Sequence, residues 1–254
     1  MDRRHGDPAR HSRVATLLFP VNPDSASIVL LPGLHGTSGL FPPFVSALAE
    51  KNISSESCFA LPLPVDISQE YMPLADHISA CLPDGDLILV AESFSTPLAM
   101  ILAERELSRV RGMILVAGFC YSPLPTGIGL LPLRPLLALS PPTALVKHFL
   151  TGESASSECL DAVMHTLRLA HSRVLASRVR TVLALSEAEC PSPRGLPVML
   201  IQARQDRLIP WEAQSRLERH FPDAHVVWID GPHLLLQTEA HACACAVVSF
   251  LGSI

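Results

Sequence analysis

A chain of 254 residues can bury one large core, and 48% hydrophobic against 17% charged residues excludes a disordered polypeptide. The formal net charge of -5 argues against general nucleic-acid binding, which needs a basic footprint. No apolar stretch reaches the roughly 20 residues of a membrane span. The longest candidate, 127–150, is interrupted by Pro132, Arg134, Pro135, Pro141 and Pro142.

The first residues, MDRRHGDPARHSR, form a charged run with no apolar h-region or small-residue cleavage site behind it. Residues 1–12 are expected to be a mobile arm, without a secretory signal, on a cytoplasmic protein. Residues 14–20 and 26–32 are predicted as strands around a turn at VNPD. Residues 41–51 have helical spacing, with Phe44, Leu48 and Ala49 on one side. A short strand is expected over 58–64 and a helix over 67–82. The continuous apolar run DLILV (86–90) has the pattern of a central strand covered on both faces. A helix from Ser93 or Phe94 to about Arg105 follows directly, then a strand over 112–119.

After that strand the pattern changes. Residues 121–142 are rich in proline and irregular, and helical spacing returns over 143–150 and 156–186. Strands are then predicted over 196–203 and 224–230, with helices over 211–221 and 237–251. Strands alternating with helices indicate an α/β fold with a mostly parallel central sheet flanked by helices. The core is assigned to 13–120 and 191–254. Residues 121–190 are assigned to a helical cap inserted between two strands.

Seven cysteines, Cys58, Cys81, Cys120, Cys159, Cys190, Cys243 and Cys245, are odd in number and scattered, as expected of reduced thiols. The run HACAC (241–245) has no zinc spacing, because residues two apart on a helix point to different faces. No metal is assigned to it.

The chemistry is concentrated where DLILV passes through Ala91-Glu92-Ser93-Phe94-Ser95 into a helix. A serine at such a junction projects from the C-terminal edge of the sheet, where α/β proteins bind ligands. The N–H groups opening the helix point at the same place and favour negative charge. Three other stretches carry chemistry-bearing residues just past predicted strands. They are LLPGLHGTSGLF (30–41), QARQDRLIP (202–210) and IDGPHLLLQ (229–237). Neither G-x-G-x-x-G nor G-x-x-x-x-G-K-[ST] occurs, so the glycine loop has no phosphate-binding fingerprint.

Taken together, these stretches resemble the α/β-hydrolase superfamily, in particular its small capped serine esterases, such as those that cleave pimeloyl-carrier methyl esters. AESFS resembles the G-x-S-x-G nucleophile elbow with Ala91 and Ser95 replacing the glycines. The resemblance implies Ser93 as nucleophile, Asp206 as triad acid and His233 as base, in the superfamily's chain order. It also implies an oxyanion hole from the N–H groups of Leu34, next to Gly33, and Phe94. The competing reading of Asp206 is a turn or helix-cap aspartate. Asp230 is a second acid candidate, in a cramped position.

The implied activity is hydrolysis of a carboxylic ester or thioester through an acyl-enzyme, with no cofactor. Cleavage of another acyl or carbon–carbon bond by the same residues is an alternative, as is a binding protein without turnover. Glu92 and His35 are read as loop-bonded side chains, with tuning of the site as the alternative. Cys120 and Tyr121 open the cap and are pocket candidates. Leu130, Leu131, Leu133, Leu136, Leu137 and Leu139 are expected to roof an apolar pocket or form the cap's own core. Arg168, Arg173, Arg178 and Arg180, with His165 and His171, read as a solvated face. An acidic acyl carrier protein is a further possible partner for that face.

Overall fold

The computed structural model describes residues 26–254, so the expected arm and the strand over 14–20 lie outside the described residues. Six parallel strands form one sheet: β1 (Ser27–Leu31), β2 (Cys58–Ala60), β3 (Leu87–Glu92), β4 (Val110–Val116), β5 (Val198–Ala203) and β6 (His225–Ile229). Their spatial order is β2-β1-β3-β4-β5-β6. The chain therefore runs outward from β1 to β2 and crosses back to the other side of β1 for β3. That reversal leaves a crevice at the strand C-termini between β1 and β3. Leu31 pairs with Ala91 at this edge, so the loops after β1 and β3 emerge side by side.

β3 is buried along its whole length. Leu87, Leu89 and Ala91 point into one apolar layer, and Ile88 and Val90 into the other. The first layer is closed by α2 (Tyr71–Ser79), α3 (Thr96–Arg105) and α8 (Trp211–His220), through residues such as Leu74, Leu98, Leu102 and Leu217. The second is closed by α1 (Pro42–Ala49) and α10 (Ala240–Leu251), through Phe44, Leu48, Cys243 and Val247. In α1 the inward alanine is Ala47, and Ala49 faces solvent, because an inward set spaced by three and four from Phe44 reaches 47 and 48. β2 is shorter than the expected 58–64, since Pro62 and Pro64 end regular pairing.

Between β4 and β5 the chain forms α4 (Leu133–Leu137), α5 (Thr143–Val146) with a π-helical turn over Lys147–Thr151, α6 (Ser157–Leu169) and α7 (Ser172–Ala184). The predicted helix over 156–186 is thus two helices, broken where Ala170 and His171 take extended backbone angles. The Ser156 hydroxyl accepts from Cys159 N–H and starts α6. The last predicted helix is also divided, into α9 (Leu235–Thr238) and α10, at Glu239.

This segment packs on the loops at the C-terminal edge of the sheet. Val146, Val163 and Met164 meet Leu40 and Leu234, while Leu133, Ala176 and Val179 meet Leu34. Its leucines divide differently from the expected roof. Leu133 is buried, but Leu130 is 90% exposed, and Leu131, Leu136 and Leu139 also face solvent. α4 is only five residues long and turns Leu133 and, partly, Leu137 toward a core that α7 already fills. Among the described residues, no helix is long and apolar enough to cross a membrane.

Candidate active site

Ser93 sits at the end of β3, where the chain turns through a short 3-10 segment, Ser93–Ser95, into α3. Its φ is +50°, the left-handed region that costs a non-glycine residue of order 1–3 kcal/mol. The surroundings hold it there. Thr96 Oγ1 lies 2.8 Å from Ser93 O and accepts from Phe119 N–H at 3.2 Å. Pro97 opens α3, where a missing N–H costs nothing. Gly118 leaves room for this arrangement, because a Cβ there would come within 2.6 Å of Thr96 Cγ2.

The two positions flanking the turn are fully buried. Ala91 fits its methyl between Leu31 and Leu115 of the neighbouring strands. Ser95 contributes a contact that glycine could not. Its hydroxyl donates to Pro32 O at 2.5 Å, tying the Ser93 turn to the loop after β1. Replacing Ser95 by glycine removes this buried bond and adds backbone freedom, so stability should fall by about 1–2 kcal/mol. In a thermal melt that is a Tm lower by roughly 2–8 °C. An unchanged Tm would show that the tie contributes nothing.

The loops after β5 and β6 bring the other two residues to the serine. His233 Nε2 lies 3.0 Å from Ser93 Oγ, and His233 Nδ1 lies 2.8 Å from Asp206 Oδ2. Asp206 contacts both the loop after β5 and His233. Its Oδ1 accepts from Leu208 N–H and Ile209 N–H, each at 2.8 Å, as a turn aspartate does, while Oδ2 faces the histidine. Asp230 is drawn aside and accepts from Gln205 Nε2 at 2.9 Å. With Asp206 as acceptor, the imidazole carries its proton on Nδ1 and leaves Nε2 to accept from the serine. His233 is 2% exposed and Ser93 7%. Burial alone would pull the imidazole pKa down. The charge of Asp206, its hydrogen bond and the more distant Glu92 outweigh that, and the net direction is upward.

Leu34 lies beside this group in the loop after β1, and its N–H donates no hydrogen bond among the described residues. Phe94 follows the serine at the opening of a helix, where N–H groups lack intrahelical acceptors. Its ring stacks on Tyr71 with centroids 5.2 Å apart.

Glu92 is fully buried and turned away from the serine. Gln237, with its amide oriented to satisfy both neighbours, donates to Glu92 Oε1 at 2.9 Å and to Leu234 O at 3.2 Å. His35 Nδ1 accepts from Thr37 N–H at 3.2 Å, which places the ring proton on Nε2, 3.9 Å from Glu92 Oε2. Gly33 runs over this pair, and a Cβ there would sit 3.6 Å from Glu92 Oε2. Tyr121 lies under the Arg216 guanidinium, 4.3 Å from its ring centroid, at the entrance of the β4–β5 segment.

No protein-family model matches the chain, and no curated protein matches it. Solved structures do. An esterase from Exiguobacterium antarcticum superposes with a TM-score of 0.73 at 12% identity, over 90% of this chain and 92% of that one. A carboxylesterase of the thaumarchaeon Nitrososphaera gargenis gives 0.72 at 12% identity, over 91% and 92%. The enol-lactonase from Burkholderia xenovorans gives 0.69 at 17% identity, over 89% and 91%. The fold is that of the α/β-hydrolases.

On this α/β-hydrolase fold, one group of the described residues outside the serine site has metal-ligand chemistry. Cys120, Glu187 and His220 bring ligand atoms within 4.8 Å of one another. Glu187 is already held by Arg216 Nε at 2.6 Å, and burial pushes the Cys120 thiol up to about 12. The group is an ion-pair network joining the root of the β4–β5 segment to α8. In HACAC, Cys243 is buried, Cys245 is exposed and His241 lies beside Glu50, as packing predicts.

Sequence reasoning misplaced one residue of this region. Arg168, Arg173 and Arg180, with His165 and His171, are exposed, as a solvated face should be. Arg178 is fully buried. The signal was present in the spacing: Leu175, Arg178, Val179 and Val182 form the inward stripe of α7 at intervals of three, one and three. Nε donates to Gln69 Oε1 at 2.8 Å, Nη1 to Leu34 O at 2.9 Å and Nη2 to Pro64 O at 3.2 Å. The guanidinium also lies over the Phe94 ring, 5.8 Å from its centroid. Burial lowers its pKa to about 10, which still leaves it charged at neutral pH.

Proposed function

We propose that the protein is a serine hydrolase that cleaves a carboxylic ester or thioester through an acyl-enzyme. The observation that carries this reading is the continuous chain Asp206–His233–Ser93, at 2.8 and 3.0 Å, ending on a serine with φ +50°. In the reading, Ser93 Oγ attacks the substrate carbonyl carbon while His233 Nε2 takes its proton. The carbonyl oxygen becomes an oxyanion facing the N–H groups of Leu34 and Phe94. Each such donor is worth about 2.7–4 kcal/mol at the transition state. The C–O or C–S bond to the leaving group breaks as His233 returns the proton to it. A water then repeats the sequence on the acyl-serine, giving a carboxylic acid and free Ser93. Asp206 keeps the imidazole in the required tautomer and stabilises the imidazolium. The cycle balances with these groups and water alone, so the proposal needs no cofactor.

In the same reading, the β4–β5 segment is a cap over the site. Neighbours named as esterases and as an enol-lactonase favour hydrolysis of an acyl–oxygen bond, and they leave open whether the ester is cyclic. The test is labelling of the folded protein with a fluorophosphonate, the adduct located by peptide mass spectrometry. Turnover of p-nitrophenyl esters of increasing chain length would be measured beside it. An adduct on Ser93 with ester turnover is expected, and the preferred chain length would size the acyl site. A folded protein with neither adduct nor turnover would transfer the reading to a ligand-binding protein on the same fold.

A further inference from the structure

We infer that Arg178 is a positioning residue for the oxyanion hole, holding both donor-bearing segments from a helix of the inserted segment; this rests on the hydrolase reading above. Its guanidinium reaches the two segments by different chemistry. Nη1 donates to the carbonyl of Leu34, whose own N–H is one proposed donor. The guanidinium plane lies over the ring of Phe94, whose N–H is the other. Beyond Leu31 and Ala91, where the β1–β3 pairing ends, Arg178 and the Ser95–Pro32 bond together set the spacing between the loop after β1 and the Ser93 turn, and Arg178 is the tie that reaches both donor-bearing residues.

The surroundings are shaped for this side chain. Gly36 has φ +75°, and a Cβ on it would come within 2.0 Å of Nη1. Gln69, itself buried, accepts from Nε while its amide donates to Ile67 O at 2.7 Å and Pro64 O at 3.1 Å. Thr181, one turn further along α7, donates to Gln69 O at 3.0 Å and keeps that loop in place. Among the described residues, none of the hydrogen-bonded partners of Arg178 is a carboxylate. The charge is met by two carbonyls, an amide oxygen and a ring face, an arrangement in which each partner is neutral. Burying an arginine on neutral partners is expensive, and a helix seeking only stability would carry leucine in this stripe. The fork geometry is what leucine or lysine cannot reproduce, because three donors must reach three fixed acceptors at once.

The test compares wild type with Arg178→Lys and Gly36→Ala, each first shown folded by its thermal melt. Arg178→Lys keeps the charge and loses the fork, and Gly36→Ala displaces the intact guanidinium. Steady-state kinetics on the preferred p-nitrophenyl ester would be paired with inhibition by a trifluoromethyl ketone. Ser93 Oγ adds to the ketone carbon, its proton passes to His233, and the ketone oxygen becomes a stable oxyanion in the same hole. The expected result is a fall in kcat of about 10- to 100-fold with KM changed less than about threefold. The Ki for the ketone should rise by the same factor as kcat falls. The double variant should be no worse than the more impaired single one, since both act through one group.

A folded Arg178→Lys with kcat and Ki near wild type would overturn the inference, and so would a kcat loss without weaker ketone binding. If one variant fails to fold, the other decides. Failure of both would give Arg178 a purely structural role and end the proposal. Wild-type protein that turns over no ester and takes no fluorophosphonate would remove the hydrolase reading itself. Normal wild-type activity with an indifferent Arg178 would remove only the positioning role.

Discussion

Replacing Ser93 by alanine is expected to lower ester turnover by about four to six orders of magnitude and to abolish fluorophosphonate labelling. The loss is this large because, among the described residues, neither neighbouring hydroxyl can take the covalent role. Ser95 is fully buried and its hydroxyl is committed to Pro32 O. The Thr96 hydroxyl faces Ser93 O and Phe119. The substitution should leave the fold intact. Ser93 Oγ has His233 as its hydrogen-bond partner, and alanine tolerates φ +50° no worse than serine does. A residual rate over the uncatalysed reaction is expected from the oxyanion donors and substrate binding. An alanine variant that kept a tenth of its activity would eliminate the acyl-enzyme mechanism.

Asp206→Asn should cost about four orders of magnitude in kcat/KM, for a reason the hydrogen bonds make explicit. Asp206 Oδ1 accepts two backbone N–H groups, from Leu208 and Ile209. An asparagine must keep its oxygen there, because its amide nitrogen cannot accept. The NH2 group then faces His233 Nδ1, which has to become the acceptor. The ring proton moves to Nε2, and the atom that should receive the serine proton already carries one.

The same change alters pH behaviour. His233 has a raised pKa in the folded chain, and in the proposed mechanism its neutral form is the base, so wild-type kcat/KM should rise with pH through a value above the ordinary 6.5. Stability runs the other way. A raised histidine pKa stabilises the fold fully below the unfolded value, and that contribution is lost as pH rises through the folded one. Wild type should therefore lose some stability over the window in which it gains activity. Asp206→Asn should flatten the stability change and move the acidic limb of its residual activity downward. Both follow from melts and rates measured across pH 5 to about 9. An unmoved limb would mean that His233 does not depend on Asp206 for its proton affinity.

That Ser93, Asp206 and His233 would share one end of the sheet could be read in the sequence, because each follows a strand directly and strands announce themselves through runs such as DLILV. Asp206 ranked above Asp230 by its place just past a late strand and by the cramped spacing of Asp230 before His233; in the structure Asp206 faces His233, and Asp230 accepts from Gln205. What was not legible depends on which neighbour lies opposite. Arg178 looks like the arginines around it until α7 is seen to lay Leu175, Val179 and Val182 on the core. The leucines of 130–139 look like a pocket lining, yet burial depends on packing partners, and short α4 supplies a place for Leu133 while Leu130 and Leu139 point outward. Ser95 was read as a tolerated stand-in for glycine. Its bond to Pro32 spans 63 residues and has no local signature.

The strand order also has a consequence for how the molecule comes into being. Ser93 and His233 are 140 residues apart, and Arg178 reaches Leu34 across 144. At about 5–20 residues per second, a ribosome adds His233 roughly 7–30 s after Ser93. In the proposed mechanism, the nascent chain through that interval carries Ser93 and both oxyanion segments, but no base to withdraw the serine's proton. Esters that meet the unfinished chain encounter an ordinary alcohol. If the chain is the proposed hydrolase, its reactivity is withheld until the C-terminal β6 loop docks, and synthesis itself acts as the timer.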